Sequence, residues 1–301
     1  MKVFISGVRG FLGGELARHL GARGHQVTGT TTRRVGQAGS PLAGAYSWRF
    51  GDAVDPRWME GVDVVIHAAH DFSAEMAVNV DGTRALSKAA REAGVRTQAL
   101  ISSLSARIDA RSRYGQTKYA IEQQLAGPDV LVIRPGTVIG NGGLFGRMIE
   151  MVRKLPVVPL VGGGTTRMHL IGVGDVCLAV EAVLQCPPPA DFNLYYRETP
   201  TLREVLASVS RLIGRRPMFV PVPSGLVRAA LSVAGAVGLR LPVDRDNLTG
   251  FMQSQNQVHE SDLLHVLKEP RSVAEALQQI VADSGAPRGG GRDAGDAPAP
   301  L

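Results

Sequence analysis

The chain has 301 residues, 44% of them apolar and 20% charged, with a formal net charge of +6 and a pI near 9.7. That composition supports one large α/β domain or two small ones, and it excludes a disordered chain, a collagen, a coiled coil or a small disulfide scaffold. Aromatic residues make up only 5%, too few for a platform that stacks single-stranded nucleic acid. The arginines are scattered without a basic run, and a diffuse positive charge suits an anionic small molecule as well as nucleic acid; with so few aromatics, no nucleic-acid partner is expected.

Two cysteines, Cys177 and Cys186, occur without a CxxC pair and read as free thiols in a reducing compartment. The opening Met1-Lys2-Val3-Phe4-Ile5 reaches Gly7 before a secretory apolar region forms. The longest apolar stretch, residues 226–239, is broken by Arg228 and falls short of the roughly 20 residues needed to span a bilayer. A cytoplasmic protein without a transmembrane segment is expected.

In chain order, residues 2–6 read as a strand, 13–23 as a helix and 26–31 as a second strand. A third strand over 62–67 precedes a helix over 83–94. A strand over 99–103, a helix over 118–126 and a strand over 130–134 follow. Strand–helix–strand units of this kind predict an α/β fold, a doubly wound parallel (Rossmann) sheet with right-handed crossovers. Further on, 173–184 and 201–213 read as helices, the second opened by the capping box Thr201-Leu202-Arg203-Glu204. The boundary is placed at 180: residues 1–180 form a nucleotide-binding domain and 181–283 a smaller C-terminal substrate lobe. Residues 284–301, rich in Gly, Ala and Pro, are expected to be a disordered tail.

The first strand runs into Gly7-Val8-Arg9-Gly10-Phe11-Leu12-Gly13 and then a helix. Glycines there permit a tight turn and a close approach of backbone to a pyrophosphate seated on the helix N-terminus. The spacing is GxxGxxG. After the second strand come Thr30-Thr31-Thr32-Arg33-Arg34, with no acid in reach to accept a ribose 2′-hydroxyl. Arg33 and Arg34, helped by Arg9, favour the 2′-phosphate of NADP over NAD.

Downstream, Ser102-Ser103 lies at a strand end, and Tyr114-Gly115-Gln116-Thr117-Lys118 enters a helix. Residues i and i+4 share a helix face, so Tyr114 and Lys118 point together. A nearby ammonium is expected to lower the phenol from about 10, which suits acid–base work near neutral pH. Ser103 is placed to bond a reacting carbonyl oxygen.

These motifs together resemble the extended or atypical short-chain dehydrogenase/reductases, the NAD(P)-dependent epimerase/dehydratase family. Gly7–Gly13 is similar to the family's cofactor loop. Gly51-Asp52-Ala53 resembles the turn beside the adenine, and His67-Ala68-Ala69 the segment lining the cofactor. Asn79-Val80-Asp81-Gly82-Thr83 resembles a structural helix motif, and Arg134-Pro135-Gly136 the loop beside the nicotinamide. The resemblance implies Tyr114 as acid/base, Lys118 as its activator and Ser103 as carbonyl ligand, with Ser102 and Ser105 as neighbours able to take the serine role. Helices beside such a segment often pair in the family, so the resemblance leaves a homodimer open.

Ser103 and Tyr114 are only eleven residues apart, whereas sugar-nucleotide epimerases of the group carry a longer insert. The Asp-Glu pair of the dehydratases is replaced by Leu104 and Ser105. The short insert is similar to that of atypical members such as the NADPH-binding accessory subunit of respiratory complex I. The expected activity is hydride transfer between NADP(H) and a carbonyl or alcohol of a small organic substrate. The alternatives are a sugar-nucleotide epimerase with tightly held cofactor and a non-catalytic NADPH-binding structural or regulatory subunit.

Four further features stay open. His67 and His70 are spaced as metal ligands can be but read as cofactor lining, and no metal is expected. The segment 162–169 is either a second anion loop using Arg167 or a turn. Asp175 reads as a helix N-cap. Residues 223–242 read as a lid helix or a surface for a membrane or partner.

Overall fold

The computed structural model describes residues 1–32, 43–185, 191–223, 225, 227, 246, 249, 250, 253 and 260–285. Arg33, Arg34, Cys186, most of 223–242 and residues 286–301 lie outside the described residues.

The chain begins with strand β1 (Lys2–Ser6), helix α1 (Phe11–Ala22) and strands β2 (Gln26–Thr31) and β3 (Gly44–Ser47). Next come β4 (Val64–His67), α2 (Met76–Glu92), β5 (Thr97–Ile101), α3 (Arg113–Leu125) and β6 (Val130–Pro135). The middle of the chain holds β7 (Thr137–Ile139), α4 (Gly143–Lys154), β8 (Val157–Val161), β9 (Leu170–Gly172) and α5 (Val173–Val183). The last described elements are β10 (Asp191–Leu194), α6 (Leu202–Leu212), β11 (Met218–Val222), a single turn α7 (Leu263–Val266) and α8 (Val273–Gly285).

Seven strands form one sheet in the order β10-β6-β5-β4-β1-β2-β3, every pair parallel. This is the doubly wound sheet that the strand–helix alternation predicts, with its order reversing at β1. Both faces are covered, as a parallel sheet requires, and side chains divide between them with a period of two. Val3, Ile5, Val64, Ile66, Leu131 and Ile133 pack toward α1 and α5. Phe4 and Val65 pack against Leu86 and Ala90 of α2, and Leu100 and Val132 against Ile121 and Leu125 of α3.

β10 follows residue 180 in sequence, yet it completes the large sheet beside β6 in the register Asp191↔Val132. Conversely, β7, α4, β8 and β9 precede residue 180 and sit outside that sheet, in two small parallel pairs, β7 with β9 and β8 with β11. The large sheet and the β8–β11 pair therefore each draw strands from both sides of residue 180.

Three differences bear on the site. β3 was not foreseen, because Gly44-Ala45-Tyr46-Ser47 is short and small. β2 pins it through Ala43 N–H to the Val27 carbonyl at 2.7 Å and Trp48 N–H to the Thr31 carbonyl at 3.0 Å. α3 begins at Arg113 instead of 118, because Ser112 caps it by accepting the Gly115 N–H at 3.1 Å. β5 ends at Ile101, so Ser102 and Ser103 stand just past the strand. Residues 284 and 285, assigned in sequence to the tail, belong to α8, which continues to Gly285.

Candidate active site

A cleft of about 1010 Å³ opens at the carboxyl ends of the large sheet, where doubly wound sheets bind ligands. One end is made by the glycine loop. Gly7 has φ +75°, a conformation that side chains other than glycine rarely adopt. A Cβ on Gly13 would stand 2.3 Å from the Gly7 carbonyl oxygen, so only glycine lets α1 start this close to β1. α1 has no side-chain cap and no acid in its first turn. Its opening N–H groups and positive dipole end therefore face a cleft suited to a pyrophosphate. The Ser6 hydroxyl accepts the N–H groups of Ala68 and Ala69 at 3.0 and 3.1 Å, fixing the loop after β4 beside the glycine loop.

Of the residues expected to hold a cofactor, Gly7, Arg9, Gly10, Phe11, Leu12, Ala68, Ala69, Pro135 and Gly136 line this cleft, and Gly13 lies buried beneath it. Besides Gly13, three do not line it. His67 is buried under the sheet end, where Nε2 meets Gln98 Oε1 at 2.8 Å. Burial pushes its imidazole down to about 4. Alternation along β4 puts His67 on the face opposite Val64 and Ile66, while Ala68 and Ala69 follow the strand's carboxyl end and line the cleft. Asp52 stays in its own turn, accepting the Arg49 N–H at 2.9 Å and, through its carbonyl, the Trp48 indole N–H at 3.2 Å. Ala53 follows it outside the cleft; Trp48, Arg49 and Phe50 take the lining positions.

The other end brings Ser103, Tyr114 and Lys118 together. Lys118 is buried, and its Nζ donates to the Ile101 carbonyl at 2.8 Å, 5.9 Å from the centre of the Tyr114 ring. Burial pushes its amine down to about 8, with Glu122 opposing. Tyr114 departs from expectation: burial pushes its phenol up to about 12, and a hydrogen bond with Ser103 only partly offsets this. The ammonium is directed to a backbone carbonyl, so desolvation of the ring decides the sign.

Among the serines, Ser102 donates to Glu122 Oε1 at 2.5 Å. Glu122 is held in turn by Arg134 at 2.8 and 2.7 Å. Ser102 is thereby committed, which leaves Ser103, paired with the Ser105 hydroxyl at 2.9 Å. Aromatic rings wall Tyr114: Phe72 stacks on it at 5.5 Å, and His70 meets it edge-on at 5.0 Å. Burial, reinforced by the Lys118 charge, pushes His70 down to about 3, so this imidazole stays neutral. Asp246, from far along the chain, accepts the N–H of Tyr114 at 3.0 Å and that of Arg113, holding the first turn of α3.

The remaining candidates fall elsewhere. Arg167 donates to the Thr199 carbonyl at 3.0 Å, beside a groove between α6 and α8 and away from the large cleft. Gly162–Gly164 forms a single 3-10 turn after β8. Asp175 is not the N-cap of α5, a place taken by Gly172; it accepts from the Tyr196 hydroxyl at 2.6 Å, the Arg271 N–H at 3.0 Å and the Arg271 guanidinium. Cys177 is buried with its thiol pushed up to about 12 by desolvation. No described helix is long and apolar enough to cross a membrane. Trp48, Arg49, Phe72, Arg147 and Asp246 line the cleft without having been singled out in the sequence. Assigning β3 would have found the first two; Asp246 carries no local signal.

The profile of the NAD dependent epimerase/dehydratase family matches residues 3–194. A similar curated protein is the mitochondrial NADH dehydrogenase [ubiquinone] 1 alpha subcomplex subunit 9 of Arabidopsis thaliana. It is 26% identical over 75% of this chain, which spans 61% of that protein's length. The human epimerase family protein SDR39U1 is 25% identical over 84% of this chain and 96% of its own length. Among solved structures, MoeE5 in complex with UDP-glucose and NAD shares the fold with a TM-score of 0.71 at 20% identity, covering 94% of this chain and 98% of that one.

Proposed function

The chain belongs to the NAD dependent epimerase/dehydratase family, and from that premise we propose that it is an NADP(H)-dependent oxidoreductase acting on a carbonyl or alcohol of a small organic substrate. One observation carries this reading: a single cleft runs from the uncapped start of α1 to Ser103, Tyr114 and Lys118. The residues present fit a dinucleotide, since the loop that a Cβ at Gly13 would obstruct leaves backbone room for a pyrophosphate beside free helix N–H groups. The glycine loop, Ala68, Ala69, Pro135 and Gly136 would hold the cofactor. When bound, its nicotinamide supplies or accepts the hydride.

The chain's own groups then handle the proton. Tyr114, held up at about 12, stays protonated across the working pH range and is fitted to give its proton to a substrate oxygen. Ser103 bonds the same oxygen. The Lys118 ammonium stabilises the phenolate left behind. Neutral His70 and the exposed Phe72 ring flank the phenol on this side. A phenol so reluctant to ionise favours reduction of a carbonyl over oxidation of an alcohol.

Two other readings draw on specific observations. A sugar-nucleotide epimerase is suggested by the family and by the UDP-glucose and NAD held in MoeE5, which shares the fold, although Ser103 and Tyr114 lie close in sequence. A cofactor-binding subunit without turnover is suggested by the similarity to an NADH dehydrogenase subunit and by the raised phenol. Incubating the full chain with NADPH and either a panel of small aldehydes and ketones or a set of UDP-sugars, and following NADPH absorbance, NADPH fluorescence on binding and the sugar isomers formed, separates the three. Consumption of NADPH with at least one carbonyl is the expected result. Interconversion of a UDP-sugar without net NADPH loss would instead indicate the epimerase, and binding without any conversion the subunit.

A further inference from the structure

We propose that Arg49, on the loop after β3, grips the 2′-phosphate of the adenosine ribose together with Arg9, and so sets cofactor choice from the third strand. The inference rests on the NADP(H) reading above. The carboxyl end of β2 is where an adenosine ribose lies in sheets of this kind. β3 runs parallel beside it in the register Thr31↔Ser47. The bond from Trp48 N–H to the Thr31 carbonyl, 3.0 Å, carries the alignment one residue past the strand, so that Trp48 stands opposite Thr32 and Arg49 follows it at the same edge of the cleft. Thr30, Thr31, Thr32, Arg49 and Arg9 all line this end of the cleft.

Arg49 has a fixed base and a free head. Trp48 before it is buried, with its ring edge-on to Phe50 at 5.0 Å. The turn behind it is closed by the Arg49 N–H donating to Asp52 Oδ2 at 2.9 Å and by Asp52 N–H donating to the Arg49 carbonyl at 3.0 Å. The one acid in this turn is thus bonded to backbone. Neither the Arg49 nor the Arg9 guanidinium has an ion pair or hydrogen bond among the described residues, whereas most other arginines do. The described carboxylates that line the cleft, Asp71 and Asp246, are engaged elsewhere, with Ser73 and with the start of α3. No acid is therefore offered to a 2′-hydroxyl, and two free guanidinium forks are offered to a phosphate.

The test is a titration of the full chain and of Arg49→Ala with NADPH and NADH by nicotinamide fluorescence, repeated with 2′,5′-ADP and with 5′-ADP by calorimetry. Loss of one charged fork is expected to weaken NADPH and 2′,5′-ADP by about tenfold or more, leaving NADH and 5′-ADP within about twofold. Arg49→Lys should fall between, because a point charge replaces the fork. The Arg49 side chain is exposed and has no partner among the described residues, so an unchanged melting temperature serves as the folding control. Undiminished NADPH preference in Arg49→Ala would overturn the role of Arg49 while leaving the NADP(H) reading standing. Equal loss for NADPH and NADH would overturn it too. A wild-type chain that binds NADH as tightly as NADPH would overturn the NADP(H) reading and this inference with it.

Discussion

The two ends of the cleft are built from different materials. At the glycine loop the working groups are backbone: an uncapped helix start, a left-handed Gly7 and a Gly13 with no room for a Cβ. At the Tyr114 end they are side chains whose properties are set by what surrounds them. There burial moves the phenol up and the Lys118 amine down, and a carboxylate 132 residues away in sequence holds the first turn of α3. Backbone chemistry tolerates almost no change of residue, whereas side-chain chemistry is tuned by packing and follows pH.

That contrast is sharpest at Gly13. Gly13→Ala drives a methyl to 2.3 Å from the Gly7 carbonyl, so the loop must shift. The expected cost is about 3 kcal/mol of stability, the range of forced overpacking, together with loss of measurable cofactor binding. Denaturant unfolding and an NADPH titration check both. Wild-type stability would mean that the loop has slack the close contact denies.

The Tyr114 end should instead respond to pH. Below about 8 Lys118 is an ammonium, and above it the charge is lost. The phenolate formed on proton transfer then loses its stabilising cation, so the rate of carbonyl reduction should fall as pH rises through about 8. A pH–rate profile under saturating NADPH reads this directly, and a rate flat to pH 10 would remove Lys118 from the chemistry.

The smallest expected effect is at Asp246. Asp246→Ala frees the N–H groups of Arg113 and Tyr114 at a helix start. That should cost about 1 kcal/mol, the scale of a lost N-cap. Turnover should fall several-fold while NADPH affinity holds. A change in NADPH affinity without a change in turnover would place Asp246 with the other end of the cleft.

The sequence made the backbone end legible and the side-chain end only partly so. The bounds of β1 and β2 were readable because an apolar run, a glycine loop and a helical pattern are local signals. The pairing of Tyr114 with Lys118 was readable from helix spacing alone. The direction of the phenol's shift was not, because it depends on Phe72, His70 and the enclosure they make in space. His67 was misplaced for a related reason. The motif His67-Ala68-Ala69 marks the right loop, but alternation along β4 sends its first side chain to the far face, against Gln98. Arg49 was overlooked because the strand before it, Gly44–Ser47, is short and held by pairing with β2 more than by its own pattern. Asp246 and the β10 edge strand show how tertiary contacts join segments that no local reading connects.

The central claim is that Tyr114 moves a proton in a cleft that holds NADP(H) independently of it. The most direct measurement is NADPH affinity and NADPH consumption in Tyr114→Phe, made side by side with the wild-type chain on one carbonyl substrate. The account predicts an unchanged affinity and a rate lower by about a hundredfold or more, the scale of a lost general acid. A variant that still consumes NADPH at the wild-type rate would contradict it.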